Sequence, residues 1–145
     1  MNKKEWNAMN QREKDGLIAE RFMDLSWRVQ DVASFSSMEK DLGKRFLCPS
    51  FTESDYSEAK GGEEKSSEWD RFFDNYTTDR NACYFVLNKV DLPVLLTHFL
   101  SVTGETDVDI SGRAGTKAMC NLLLADPDTI CYCAIRAAEN EKETQ

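Results

Sequence analysis

The stretch from Ser26 to Asn75 sets the first constraint on any fold for this chain. It sustains neither a helical nor a strand period. Its apolar residues are isolated aromatics, Trp27, Phe35, Phe46, Phe51, Tyr56, Trp69 and Phe72-Phe73, separated by polar and turn-forming residues. Between Glu53 and Asp70 there are seven carboxylates against two lysines, with Gly61-Gly62 and Ser66-Ser67. Such a segment solvates well and orders poorly by itself. Residues 26–75 are therefore expected to form a long acidic and aromatic loop region, with a short helix open to residues 38–46. Loops of this length in small domains are usually mobile or functional.

Helical patterning frames that region. Leu17, Ile18, Phe22 and Leu25 recur among charged residues, which predicts an amphipathic helix over residues 10–25. Asn10 is placed to cap it, with Glu13 reaching back to the cap. Thr77-Thr78-Asp79 opens a second helix, over 77–90, whose apolar face carries Ala82, Cys83, Phe85, Val86, Leu87 and Val90. Asp91-Leu92-Pro93 punctuates its end. The next segment reads two ways. β-branched and aromatic residues in Val94 to Thr103 favour a strand, whereas Pro93 and Gly104 would equally bound a helix of about three turns. The strand is preferred here. Thr106 to Ser111 alternates Val108 and Ile110 with Asp107 and Asp109, and Lys117 to Leu124 can pair with it across Gly112-Arg113-Ala114-Gly115-Thr116. Residues 94–124 are accordingly expected as strands. Asp126-Pro127-Asp128 then starts a final helix over 126–141, with Ile130, Cys131, Ala134, Ile135, Ala137 and Ala138 facing inward.

With 18 basic and 26 acidic side chains among 145 residues, the net charge is −8. That balance excludes direct duplex nucleic-acid binding as the main activity, because such affinity comes from Lys and Arg displacing counterions. An anionic membrane surface is disfavoured for the same reason. The 41% apolar content suffices for one core, so residues 1–145 are expected to be a single domain. No run approaches the roughly 18 apolar residues of a membrane span, and Met1 to Trp6 lacks the apolar stretch of a secretion leader. A cytoplasmic location follows as the expectation. Five cysteines, an odd number, point to buried free thiols in place of a disulfide framework.

Three segments taken in order resemble a known family: Gln11 to Met23 as the first helix, Tyr76-Thr77-Thr78-Asp79 opening the next, and the terminal Ile130-Cys131-Tyr132-Cys133-Ala134-Ile135-Arg136-Ala137-Ala138 helix. In these the chain is similar to the phage ABA-sandwich domain family, small bacteriophage and prophage proteins. The long acidic insertion before Trp69 and the segment from Leu92 to Thr103 depart from it. The expected class is α+β, an antiparallel sheet with packed helices at both chain ends, and the resemblance implies α/β/α layering and a phage source. It implies no reaction.

Candidate site residues fall in four places. Tyr76, Thr78 and Arg80 put a ring, a hydroxyl and a guanidinium around a helix start, where free N–H groups favour anions, although capping alone accounts for the threonines. Trp27-Arg28 and Trp69-Asp70-Arg71 each pair an indole with a guanidinium, as base stacking beside a phosphate contact requires. Both tryptophans also read as edges of a core. Arg113 and Lys117 flank the glycines of the expected hairpin turn. Its spacing is wrong for a Walker loop, and a plain turn is the commoner reading. His98 is the only histidine and reads as structural. Cys131 and Cys133 point about 200° apart on a helix and do not make a zinc pair.

No catalytic triad, metal motif or cofactor motif emerges, so no cofactor is expected. The expectation is a non-enzymatic phage accessory protein that sequesters a small nucleotide-derived ligand, such as a host defence signal, through Trp27, Arg28, Trp69, Tyr76, Thr78, Arg80, Arg113 and Lys117. Residues 26–75 would supply a lid. The alternative is an acidic inhibitor or nucleic-acid mimic acting on a host protein. A homo-oligomer stays open.

Overall fold

The computed structural model describes residues 1–29, 42–49, 64–67, 69, 72–104 and 112–143, apart from the side chains of 112–115 and 142–143. Among these residues the class is α+β, with six helices and a two-stranded antiparallel sheet. The chain divides into two compact units, one of Met1–Ile18 with Asn75–Gln145, the other of Ala19–Asp74.

The first unit is helical. Helix α1 (Lys3–Ala8) is capped reciprocally by Asn2 and Glu5. Helix α2 (Gln11–Phe22) starts with the same device, since the Glu13 N–H donates to Asn10 Oδ1 at 3.0 Å while Glu13 Oε2 accepts from the Asn10 N–H at 2.9 Å. Asp79 caps α3 (Arg80–Leu87) by accepting from the Asn81 N–H. Asp91 caps α4 (Leu92–Thr103), with Pro93 in its first turn. The last helices are α5 (Gly112–Leu124) and α6 (Pro127–Glu143), the latter capped by Asp126 through Thr129. Helix α6 is the hub. Helices α3 and α4 pack on it, α5 packs on α4, and six consecutive residues, Ile130 to Ile135, are buried. A helix buried around its girth needs cover on several sides. Trp6 of α1 supplies some of it, its ring 5.8 Å from that of Tyr132 and its Nε1–H donating to the Asp128 carboxylate.

The expectation of strands over 94–124 is wrong for its described part. Residues 92–103 form α4, because an aspartate cap, a first-turn proline and Gly104 in the left-handed region at φ +85° together outweigh the strand propensity of Val94, Phe99 and Val102. The stripe Leu95, Leu96, Phe99 and Leu100 is buried at helical spacing. Residues 112–124 form α5 and make no hairpin; Ala118 and Leu122, four apart, are its buried contacts. The expected strand at 106–111 lies outside the described residues. Helix α1, unread in the sequence, carries one apolar anchor and hence no period to detect.

The second unit contains the sheet. Strands β1 (Leu25–Val29) and β2 (Arg45–Pro49) fall within the expected loop region, and the short helix expected at 38–46 ends instead in a turn at 42–43 and the start of β2, its earlier part lying outside the described residues. The strands pair antiparallel with Trp27 opposite Leu47 and Val29 opposite Arg45. A segment at 64–66 lies along the other edge of β2, with the Arg45 N–H donating to Glu64 O and the Ser66 N–H to Arg45 O.

Asp15 is fully buried on α2, in line with Ile18, Ala19 and Phe22. Its Oδ1 accepts from the Thr77 N–H at 2.9 Å and the Thr77 hydroxyl at 2.8 Å, and Arg12 lies 3.4 Å from Oδ2. Asp15→Ala is expected to lower the unfolding free energy by about 2–4 kcal/mol, because it strands a buried N–H and hydroxyl. Thr77→Val should cost about 1.5–3 kcal/mol, because it removes a hydrogen bond to a buried carboxylate. Urea denaturation with an unchanged m-value measures both. Gly104→Ala meets no atom within 4 Å. Its cost is therefore that of the backbone alone, about 1 kcal/mol by the same method.

Candidate functional site

Strand geometry decides which cation reaches which ring. Successive side chains of a strand leave on opposite faces, so Trp27 and Arg28 cannot share one. Trp27 instead shares its face with Leu47, Val29 and Arg45, and the Arg45 guanidinium carbon sits 4.8 Å from the Trp27 ring centre, diagonally across the strand pair. Arg28 is buried on the other face. There it lies beside Cys48, whose thiol burial pushes up and the Arg28 charge pulls partly back.

Residues 64–67 and Trp69 complete the cluster. The Trp69 N–H donates to Ser66 O in a turn, and its indole stacks on that of Trp27 with centres 6.0 Å apart and planes 13° from parallel. Lys65, exposed, holds its ammonium 4.1 Å from the Trp69 ring centre and 5.7 Å from that of Trp27. Phe73, buried, tilts against Trp69 at 5.4 Å. Both indoles remain partly exposed. Arg45 Nε is buried and has no hydrogen-bond partner among the described residues. The arrangement stacks two indoles with a cation over the ring of each, a set of groups suited to a planar anion where Lys65 yields its place on the ring.

The expected site residues divide between the units. Trp27, Arg28 and Trp69 belong to the second, where the two tryptophans stack. Arg71, read as the partner of Trp69, lies outside the described residues. Tyr76, Thr78, Arg80, Arg113 and Lys117 belong to the first. Tyr76 is buried and presents no stacking face. Thr78 accepts from Gln11 Nε2 at 3.1 Å. Arg80 donates to the carbonyls of Leu123 and Ala125 at 2.7 and 2.9 Å, closing the C-terminal end of α5. Its guanidinium is thus committed to the fold. Lys117 is exposed along α5, and Arg113 stands in that helix's first turn, not in a hairpin. Arg45 and Lys65 were not singled out by sequence reasoning. Lys65 was visible as a cation within an acidic run, while Arg45 needed the strand register.

His98 stands half-buried on α4, its Nε2 2.9 Å from the Asn140 side-chain amide of α6. Among the described residues no group of three or more His, Cys, Asp or Glu is placed to hold a metal ion, and no helix is long and apolar enough to cross a membrane. No family model, no curated protein and no solved structure matches this chain.

Burial, and then the charge of Arg136, lowers the His98 pKa below its ordinary value of 6.5. Between those two values the unfolded chain binds a proton that the folded chain refuses. Stability is expected to fall as pH drops through and below about 6.5 and to level off once both states are protonated. Unfolding midpoints in urea between pH 7.5 and 5 should show this decline, reduced in His98→Gln.

Proposed function

We propose that this chain binds a small nucleotide-derived ligand without converting it, at the cluster of Trp27, Trp69, Arg45 and Lys65. The observation that carries the reading is the near-parallel indole pair with both cations against its rings. A base lies on indole area and its phosphate draws the cations. A cation–π contact at an exposed site is worth about 0.5–1 kcal/mol, and a hydrogen bond to a charged group about 1.5–3 kcal/mol, so the exposed Lys65 gains by leaving the ring for a phosphate. Charge repulsion from the −8 chain is offset locally by the two cations. The resemblance to phage ABA-sandwich proteins supports casting such a binder as a phage accessory protein that sequesters a host defence signal. The net charge supports a second reading, an acidic inhibitor or nucleic-acid mimic bound to a basic host protein.

Titration with mononucleotides, cyclic mono- and dinucleotides and inorganic phosphate, followed by tryptophan fluorescence, tests the proposal. At least one nucleotide should quench the signal and be released unaltered on denaturation. Trp69→Ala and Trp27→Ala should each raise its Kd by about 5- to 150-fold, the equivalent of 1–3 kcal/mol per stacked base. Lys65→Ala should weaken binding and flatten its salt dependence. Altered ligand would indicate an enzyme. Silence across the whole set, with capture of a basic host protein, would favour the second reading.

A further inference from the structure

We infer that Cys83 and Cys131 are an oxidisable thiol pair that closes to an intramolecular disulfide when the protein meets a peroxide. All five cysteines are free in the structure, and these two meet in the interior where α3 packs on α6, with their Sγ atoms 4.0 Å apart. Reaching the S–S bond length of roughly 2.05 Å asks each sulfur to move by about 1 Å, a matter of side-chain rotation between helices already in contact. The partners are specific. Cys133 leaves α6 about 200° away from Cys131, Cys48 belongs to the other unit, and Cys120 is exposed on α5.

The surroundings distinguish the two sulfurs. Cys131 directs its thiol toward Cys83 Sγ and toward Tyr76 O at 3.4 Å, whereas Cys83 Sγ stands farther from its carbonyl, Pro127 O, at 3.8 Å. The contact between the two thiols, with a contribution from Arg80, lowers the Cys83 pKa, while the same contact and burial raise that of Cys131. Cys83 is therefore the attacking group and Cys131 the resolving one. The Cys83 sulfur attacks one oxygen of hydrogen peroxide, the O–O bond breaks, and a sulfenic acid forms with release of one water. The Cys131 sulfur then displaces the sulfenic hydroxyl, which leaves as a second water with the Cys131 proton. The two thiols lose two electrons and two protons in total, and the peroxide is reduced to two waters. Because both side chains are fully buried, the oxidant must be small, and bulky disulfides should react first at Cys120.

The experiment exposes the full chain to hydrogen peroxide, alkylates it in denaturant and maps the peptides by mass spectrometry. A cross-linked peptide joining Cys83 to Cys131 is expected, 2 Da below the sum of its reduced parts and reversed by dithiothreitol. Since the bond spans 48 positions of sequence, the oxidised protein should melt on the order of 5–10 °C higher. Cys120→Ala should retain the cross-link. Cys131→Ala should leave Cys83 as a sulfenic acid that dimedone traps once the oxidised protein is unfolded in denaturant. Full alkylation of both thiols after Cys120 has been oxidised, or Cys83 joined to any other cysteine, would overturn the inference. If Cys131→Ala does not fold, the peptide map of the unsubstituted protein still decides.

Discussion

A carboxylate with no access to water organises the helical unit. Asp15 occupies a position on the apolar stripe of α2 that a leucine would fill more cheaply, and burying its charge costs several kcal/mol unless donors surround it. The Thr77 N–H and hydroxyl, with Arg12 alongside, meet that demand. An apolar contact tolerates sliding; this one does not, because displacement leaves donors and acceptor bare together. From Thr77 the constraint passes along the chain. Two residues on, Asp79 caps α3, and the following Arg80 takes the terminal carbonyls of α5. The short segment from Asn75 to Arg80 thus ties three helices to one buried anion.

The sheet unit works by different rules. Its rings and cations gather because a strand alternates sides and an antiparallel partner supplies the diagonal neighbour. Arg45 comes to Trp27 from another strand, and Lys65 comes to both indoles from a third segment along the opposite edge of β2. The guanidinium over the Trp27 ring is that of Arg45, from the neighbouring strand. Arg28, adjacent to Trp27 in sequence, is buried on the far face with Cys48.

Legibility followed the kind of signal each segment carries. Helices α2, α3 and α6 stood out because cap residues and apolar spacing agreed, down to the reciprocal Asn10 and Glu13 bonds. Their bounds were less legible: α2 stops at Phe22 with Leu25 already in β1, short of the expected 10–25, and α3 spans Arg80–Leu87 of the expected 77–90. In α4 the two signals disagreed, and the caps prevailed over propensity, which is worth only tenths of a kcal/mol per residue. Helix α5 was obscured by its contiguous Leu122-Leu123-Leu124 run, which fits a strand as well as a helix until burial shows Leu122 inside and Leu124 out. The candidate site was legible only in its tryptophans. A lone indole beside a basic residue suggests a pairing, but neighbours in sequence are neighbours in space only where the backbone period allows it.

What the amino-acid order determined alone was local: that helices lie at α2, α3 and α6, and that the thiols would be free and mostly buried. Those properties rest on backbone donors, caps and apolar spacing, all of which act within a few residues. The tertiary structure decided which residues meet, Asp15 with Thr77, Arg45 with Trp27, and Cys83 with Cys131. Such encounters depend on strand register and helix packing, and the free energies that select them arise only once distant segments have excluded water together.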